Sequence, residues 1–381
     1  MKQIFLITFA AVLLLSCGGC EMAGGEDGAS NEGKGGTISI MTWNLQALFD
    51  GEENGAEYEE YLESAGWSGE KYSARLNAIA RGIDHLEQGP PDILALEEVE
   101  NARVLEDLAQ GALSKYGYRW SFFANNPGAS LGIGVLSRFP LSRTRAHSFS
   151  NSEEATPRPV MEVWVEPQDR PLALFICHWK SKLGGDEATE SLRRASARLI
   201  LRRLRETDLQ GVPALIMGDL NENHDEFYRQ AGAFLGALIP DDPRAADLAG
   251  FYDDPGEGSA SDEAAERALV QKKQADFLIL SRKKPPASSY FGPGATVLYS
   301  PWESELQDGS YYYKNAWETI DHFLLNESLF DKKDWDFEDC TVVNVQPFTN
   351  SRGFPDAYNP RTGAGLSDHL PLLLTLKAQD P

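Results

Sequence analysis

The chain has 381 residues, 42% of them hydrophobic and 24% charged, which suits one large or two medium globular domains and excludes a fibrous or wholly disordered chain. A formal net charge of −23 argues against a module that holds nucleic acid by passive charge neutralisation. It does not argue against metal-dependent chemistry on a phosphate, because the metal brings its own positive charge.

The chain opens with Met1-Lys2 and a nearly continuous apolar run over residues 4–15, too short to span a bilayer comfortably. We read residues 1–16 as a signal peptide. Leu14-Leu15-Ser16-Cys17 has the pattern of a bacterial lipobox, which makes Cys17 the expected lipidation site. Cys20 competes for that role, but Gly18-Gly19 before it lacks the aliphatic residue the pattern needs. Residues 17–36 are Gly-rich, acidic and almost free of large apolar side chains, and read as a flexible tether with a reach of roughly 25 Å. The expected location is therefore outside the cell, lipid-anchored to a bacterial membrane. Cys177 lies in an apolar run and is expected to be a buried free thiol.

From residue 37 to 377 no second linker interrupts the sequence, so one domain is expected. Residues 38–43 read as a short strand. Residues 72–86 have helical spacing with Leu76, Ile79, Ala80 and Ile83 on one face. Residues 92–96 read as a strand and 104–113 as a helix. Strands follow at 133–136, 160–165 and 172–177. A long helix spans 187–205, with Leu192, Ala195, Leu199 and Ile200 toward the core. Buried strands at 214–217, 276–280, 320–325 and 370–376 complete the set. Residues 51–73 and 253–266 read as solvated surface insertions, the latter ending in a helical run through 274. Alternating strands and helices with hairpin-like pairs indicate an α/β domain whose sheets are covered by helices.

Strand after strand in this reading ends in a polar residue able to bind a metal or a phosphate. Asn44 follows residues 40–43, Glu97-Glu98 follow 93–96, His178 follows 175–177, and Asp219 and Asn221 follow 215–217. Asp321 follows Thr319-Ile320, and Asp368-His369 precede 370–372. Ligands in α/β folds bind at strand ends, where loops converge. In the turn Gly218-Asp219-Leu220-Asn221, glycine permits a tight turn directly after a buried strand.

Together the segments Met41-Thr42-Trp43-Asn44-Leu45, Leu96-Glu97-Glu98-Val99-Glu100-Asn101, Leu136-Ser137-Arg138-Phe139-Pro140, Cys177-His178-Trp179-Lys180-Ser181-Lys182, Met217 to Glu222, Ile320-Asp321-His322 and Ser367-Asp368-His369-Leu370-Pro371 resemble the endonuclease/exonuclease/phosphatase (DNase I-like) superfamily. The local likeness is strongest to its bacterial, secreted nuclease-like branch. The resemblance spans nearly all of residues 37–377. It implies a four-layer α/β sandwich of two mixed β-sheets flanked by helices, and a metal-dependent phosphoester hydrolase. One departure stands out. The family commonly has Gln-Glu where this chain has Glu97-Glu98, which leaves the role of Glu97 open.

By that resemblance Mg²⁺ is the expected cofactor, with Mn²⁺ or Ca²⁺ as alternatives, held by Asn44, Glu98 and Asp368. Asp219, oriented by Asn221, would align or deprotonate the attacking water. His369, held by Asp321, would contact the scissile phosphate or act as base, and His178 would donate to a phosphate or leaving-group oxygen. Lys180 and Lys182 are candidates for contacting a polyanionic substrate. Arg138 and His322 are expected to be structural, and Trp302, Tyr311–Tyr313 and Trp317 to pack as a hairpin core. The expected substrate is nucleic acid, cut by an extracellular non-specific nuclease. A phosphatase or sphingomyelinase-type activity at the membrane surface and an inactive binding protein are the alternatives. No protein partner is expected, and the chain is expected to be a monomer.

Overall fold

The computed structural model describes residues 36–148, 158–251, 263–303, 305–306 and 308–379. The expected signal peptide, Cys17 and all but the last residue of the expected tether lie outside the described residues, as does most of the insertion expected at 253–266. Among the described residues no helix is long and apolar enough to cross a membrane.

Among the described residues, sixteen strands form two mixed sheets and a separate hairpin. In chain order they are β1 (Thr37–Leu48), β2 (Ile93–Val99), β3 (Trp120–Ala124), β4 (Gly132–Ser137), β5 (Ser142–His147), β6 (Val160–Val165), β7 (Leu172–His178), β8 (Ala214–Asp219), β9 (Leu238–Pro240), β10 (Leu278–Ser281), β11 (Val297–Tyr299), β12 (Tyr311–Tyr313), β13 (Ala316–Glu318), β14 (Asp321–Leu325), β15 (Trp335–Val342) and β16 (Leu372–Ala378). The first sheet runs β15-β16-β1-β2-β4-β3 and the second β5-β6-β7-β8-β14-β11-β10-β9. β1 is parallel to β2, and β7 to β8, while β1–β16 and β8–β14 are antiparallel.

The sheets stack face to face. Ile40, Ala95, Val135 and Leu374 of the first meet Val163, Ile176, Met217 and Phe323 of the second in one buried cluster. The outer face of the first sheet (Met41, Trp43, Leu94, Leu96) is covered by helices α1 (Gly69–Asp84) and α2 (Ala102–Asp107). The outer face of the second (Phe175, Cys177, Ile216) is covered by α3 (Asp186–Leu204). This is the expected four-layer sandwich. On α1, Leu76, Ile79, Ala80 and Ile83 are all buried, as their spacing predicts. On α3, Ala195, Leu199 and Ile200 are buried, but Leu192 is only half-buried and Arg193 takes the inward place, bonded to Glu190. Cys177 and Cys340 are buried free thiols.

Two expectations are corrected. The helix expected at 104–113 is α2, capped by the Asn101 side chain, followed by a wider π-helical turn at Leu108–Ala112. Residues 51–73 are not simply a solvated insertion. Tyr61 and Trp67 are buried, edge to face with each other, and Tyr61 packs at a tilt on Phe49, so the acidic segment is pinned to the first sheet's helical layer. The acidic, Gly-containing composition hides these two anchors.

The sandwich places the site through strand periodicity. Alternate residues of a strand point to the same face. Ile40, Thr42 and Asn44 therefore point into the interlayer, as do Ala95 and Glu97, Ile176 and His178, Met217 and Asp219, and Phe323 and Asp321. The inner positions are apolar through the middle of the sandwich and turn polar at one edge. Register brings Asp219 opposite His178 on one side and Asp321 on the other.

Candidate active site

At that edge the polar side chains meet. Asp219 is 2% exposed. Its carboxylate accepts from the Asn44 amide at 3.0 Å and from the backbone N–H of Asn221 at 2.9 Å. Asn221, at φ 52°, donates its side-chain amide to the Trp179 carbonyl at 3.1 Å. Asn221 thus orients Asp219 through its backbone, while its side chain ties this turn to the end of β7. Gly218, at φ 120°, is required here, because a Cβ would lie 2.0 Å from the Cys177 carbonyl oxygen. Burial pushes the Asp219 carboxyl up to about 7, against the pull of His369 and with the help of Asp321.

His369 Nδ1 donates to Asp321 at 2.8 Å, and the same Asp321 oxygen accepts from the Ser310 hydroxyl at 2.6 Å. The Ser367 hydroxyl accepts from the His369 backbone N–H and donates to the Asn44 carbonyl, tying the segment before β16 to the end of β1 within the first sheet. Burial pulls the His369 imidazole down, but Asp321, Asp368 and Asp219 outweigh it and hold the imidazole well above its ordinary range. Asp219, Asp321 and His369 offer ligand-type atoms all within 4.8 Å of one another. His178 Nε2 lies 3.5 Å from Asp219 and 3.8 Å from Glu98. Burial, then Arg158, holds its imidazole well below the usual range, so it is neutral.

The two adjacent glutamates are separated by a backbone irregularity. Glu97 points into the interlayer, accepts from the Thr42 hydroxyl at 2.9 Å and has no cationic partner among the described residues. Burial, then Asp321, raises its carboxyl well above the usual range. Glu98 sits at φ 62° where the β1–β2 register shifts, so its side chain turns out to the mouth. There its carboxylate accepts from the Ala47 N–H at 2.8 Å. Glu97 forms no salt bridge with a lysine or arginine among the described residues.

The rest of the expected set is also placed. Asp368 is half-buried, and its desolvation, opposed by His369 and aided by Glu98, raises its carboxyl. It walls a cleft of about 320 Å³ with Tyr312, Asn350, Arg352 and Phe354. Lys182 is engaged by Glu226, and Lys180 folds back on Ser181 and Leu183 of its own loop. Arg158 was not singled out from sequence. Its guanidinium donates to the Trp179 carbonyl, the group that also receives Asn221, and its charge bears on His178 more than that of Lys180 does. Arg138 pairs with Asp92, and His322 Nε2 bonds the Glu222 carbonyl, both structural as expected. Trp302 donates to the Asp321 carbonyl, and Tyr312 and Trp317 pack on Phe354. Tyr311 departs from the expected core role, lying over His369 with ring centroids 4.6 Å apart.

Glu98 lies close enough to Asp368 to raise its carboxyl, and neither has a lysine or arginine partner among the described residues. Two carboxylates beside an amide-rich rim are the donor set of a hard divalent cation, which takes oxygen ligands. Asn44, the third expected ligand, spends its amide N–H on Asp219 and accepts from Gln46 N–H with its oxygen, which retains one lone pair. The residues fit such an ion. The Asp321 oxygen in the tight Asp–Asp–His cluster already accepts two hydrogen bonds, which marks it as a dyad partner.

The model of the endonuclease/exonuclease/phosphatase family matches residues 39–239, more than half the chain, and the protein belongs to that family. It is thereby a phosphoesterase of a class whose enzymes depend on divalent metals. Among curated proteins no sequence relative is found. Among solved structures, TDP2 of D. rerio complexed with a single-strand DNA product is similar at 12% identity and TM-score 0.50, over 90% of this chain and 99% of that one. An endonuclease/exonuclease/phosphatase family protein of Bacteroides thetaiotaomicron is 14% identical, with TM-score 0.48, over 91% of this chain and 98% of that one. These likenesses concern the fold.

Proposed function

We propose that the protein is a Mg²⁺-dependent phosphodiesterase that hydrolyses nucleic acid outside the cell. The observation that carries this reading is the convergence of three functions at one edge. Glu98 and Asp368 form a carboxylate pair suited to a cation, Asp219 is a buried carboxylate oriented at both oxygens, and Asp321–His369 is a hydrogen-bonded dyad. The ion, when bound, supplies positive charge for the phosphate oxygens. Asp219 is positioned to align a water and receive its proton for in-line attack. Asp321 fixes the His369 tautomer, so that Nε2 faces the phosphate as a donor. The neutral His178 supplies a second donor toward the departing oxygen.

Plasmid DNA and a structured RNA, incubated with the protein across Mg²⁺, Mn²⁺ and Ca²⁺, test this directly. Degradation that a chelator abolishes is the expected result. Intact nucleic acid under all three metals, with headgroup release from sphingomyelin or phosphoinositide liposomes, would transfer the protein to the lipid-cleaving alternative. The proposed Cys17 anchor is tested separately: a Cys17→Ser variant should leave the membrane fraction and lose labelling by a fatty-acid probe.

A further inference from the structure

The hairpin β12–β13 is short, yet it is held from three directions. Its turn, Lys314-Asn315, has φ 48° and 64°, the two left-handed residues of the tight turn that matches strand twist. At its root, the Leu370 N–H donates to the Ser310 carbonyl at 2.7 Å, and Tyr311 forms a β-bridge with His369. On one face Tyr312 is clamped against Phe354, with centroids 4.0 Å apart, and against Trp317. Tyr311 and Tyr313 alternate onto the other face. There Tyr311 stacks on His369 and Tyr313 follows Tyr311 at 6.0 Å with planes 20° apart. Tyr313 is 48% exposed, and the Lys314 ammonium stands 5.0 Å over its ring.

Three near-parallel rings therefore run from the dyad imidazole to solvent. A core role does not account for the outermost ring, because it is exposed. A rigid aromatic platform in line with the group that faces the phosphate suits a planar substituent attached close to that phosphate. An unpaired nucleobase has this form, since its π-face is free to stack irrespective of sequence. In a duplex both faces of the base are already covered by its neighbours. Lys314, whose ammonium stands over that ring, swings aside when a base stacks there and then offers its cation to the strand's backbone. Resting on the phosphodiesterase reading above, we propose that Tyr313 is a stacking platform for an unpaired base beside the scissile phosphate, and that single-stranded nucleic acid is the preferred substrate class.

Binding in chelator separates this from catalysis. Fluorescence anisotropy would compare a labelled single-stranded oligonucleotide, the same strand in duplex, and the same strand carrying abasic tetrahydrofuran residues. The wild-type protein should bind the intact single strand most tightly. Tyr313→Ala should weaken that binding about 5- to 150-fold, the range for one base–aromatic stack. It should leave the duplex and abasic arms within about twofold, and Tyr313→Trp should restore the single-strand affinity. With Mg²⁺ present, KM for the single strand should rise by the same factor while kcat holds. Equal binding of single strand and duplex by the wild type, or a Tyr313→Ala effect that is absent or equal in all arms, would overturn the proposal. So would loss of phosphatidylcholine-vesicle binding as the main effect of the variant. Selective binding without cleavage would keep the platform and sink the phosphodiesterase reading; cleavage without strand selectivity would do the reverse.

Discussion

Asp219 shows a residue whose fold and function pull in opposite directions. Its folded pKa of about 7 lies above the roughly 3.9 of an unfolded aspartate, so the fold favours the protonated form. That contribution is fully present at low pH and is lost as pH rises through about 7. In chelator at pH 8, Asp219→Asn should therefore raise Tm, and the gain should vanish near pH 4. The same change should lower kcat by about 10²- to 10⁴-fold, the range for a lost general base. Asp321 and His369 act as one unit through a single 2.8 Å bond. Asp321→Asn and His369→Ala should each depress kcat/KM by a similar large factor, and the double variant should be little worse than the poorer single one. Multiplicative losses would show that the two do not act together.

At the scale of elements, the end of β1 is shaped by α1. Gln46 and Ala47 both have positive φ, at 50° and 57°, a strained pair outside glycine. The buried Arg75 guanidinium holds them there by donating to the carbonyls of Leu45, Gln46 and Ala47, and it stacks on Tyr358 at 3.8 Å. The result is an Ala47 N–H aimed at Glu98. Arg75→Met leaves three carbonyls without this donor and should cost about 3 kcal/mol or more in stability. Beyond that, the Mg²⁺ concentration for half-maximal activity should rise at least about tenfold, from the loss of a ligand's supporting contact. A stability loss with unchanged metal dependence would confine Arg75 to packing. Much of this layer was legible in the sequence. Runs such as Leu215-Ile216-Met217 announce buried strands, and the inner-facing parity of Met217 carries on to Asp219. What was not legible depends on long-range contacts. The resemblance chose Glu98 over Glu97, but the physical reason lies in the bulge that turns Glu98 outward, beside the end of β1 that Arg75 holds from another element. The docking of Tyr311 on His369 likewise arises only once β12 bridges a distant segment.

At the scale of the whole molecule, each sheet carries part of the site, so catalysis requires their mutual alignment. The second sheet is braced by Glu162, buried on β6, which accepts from Arg203, His147 and the Trp164 indole. Burial works against its charge, but these donors prevail and bring the carboxyl down to about 2. A depressed carboxyl stabilises the fold above its unfolded pKa of roughly 4.3, and that stability is lost as pH falls toward 2. Glu162→Gln should therefore lower Tm at pH 7, and its Tm should converge on the wild-type value near pH 2. Parallel curves across that range would show that the carboxylate does not carry the acid limb.

The pairing of Thr37 with Lys377 has a directional consequence. Asn44 marks the catalytic edge of β1, and Thr37 lies seven residues back along a strand that rises about 3.3 Å per residue. Whatever precedes Thr37 or follows Ala378 therefore departs from the opposite edge of the sheet, roughly 23 Å from the catalytic groups. A protein held at that edge would turn its catalytic face outward, toward polymers arriving from the medium and away from the surface to which it is fastened.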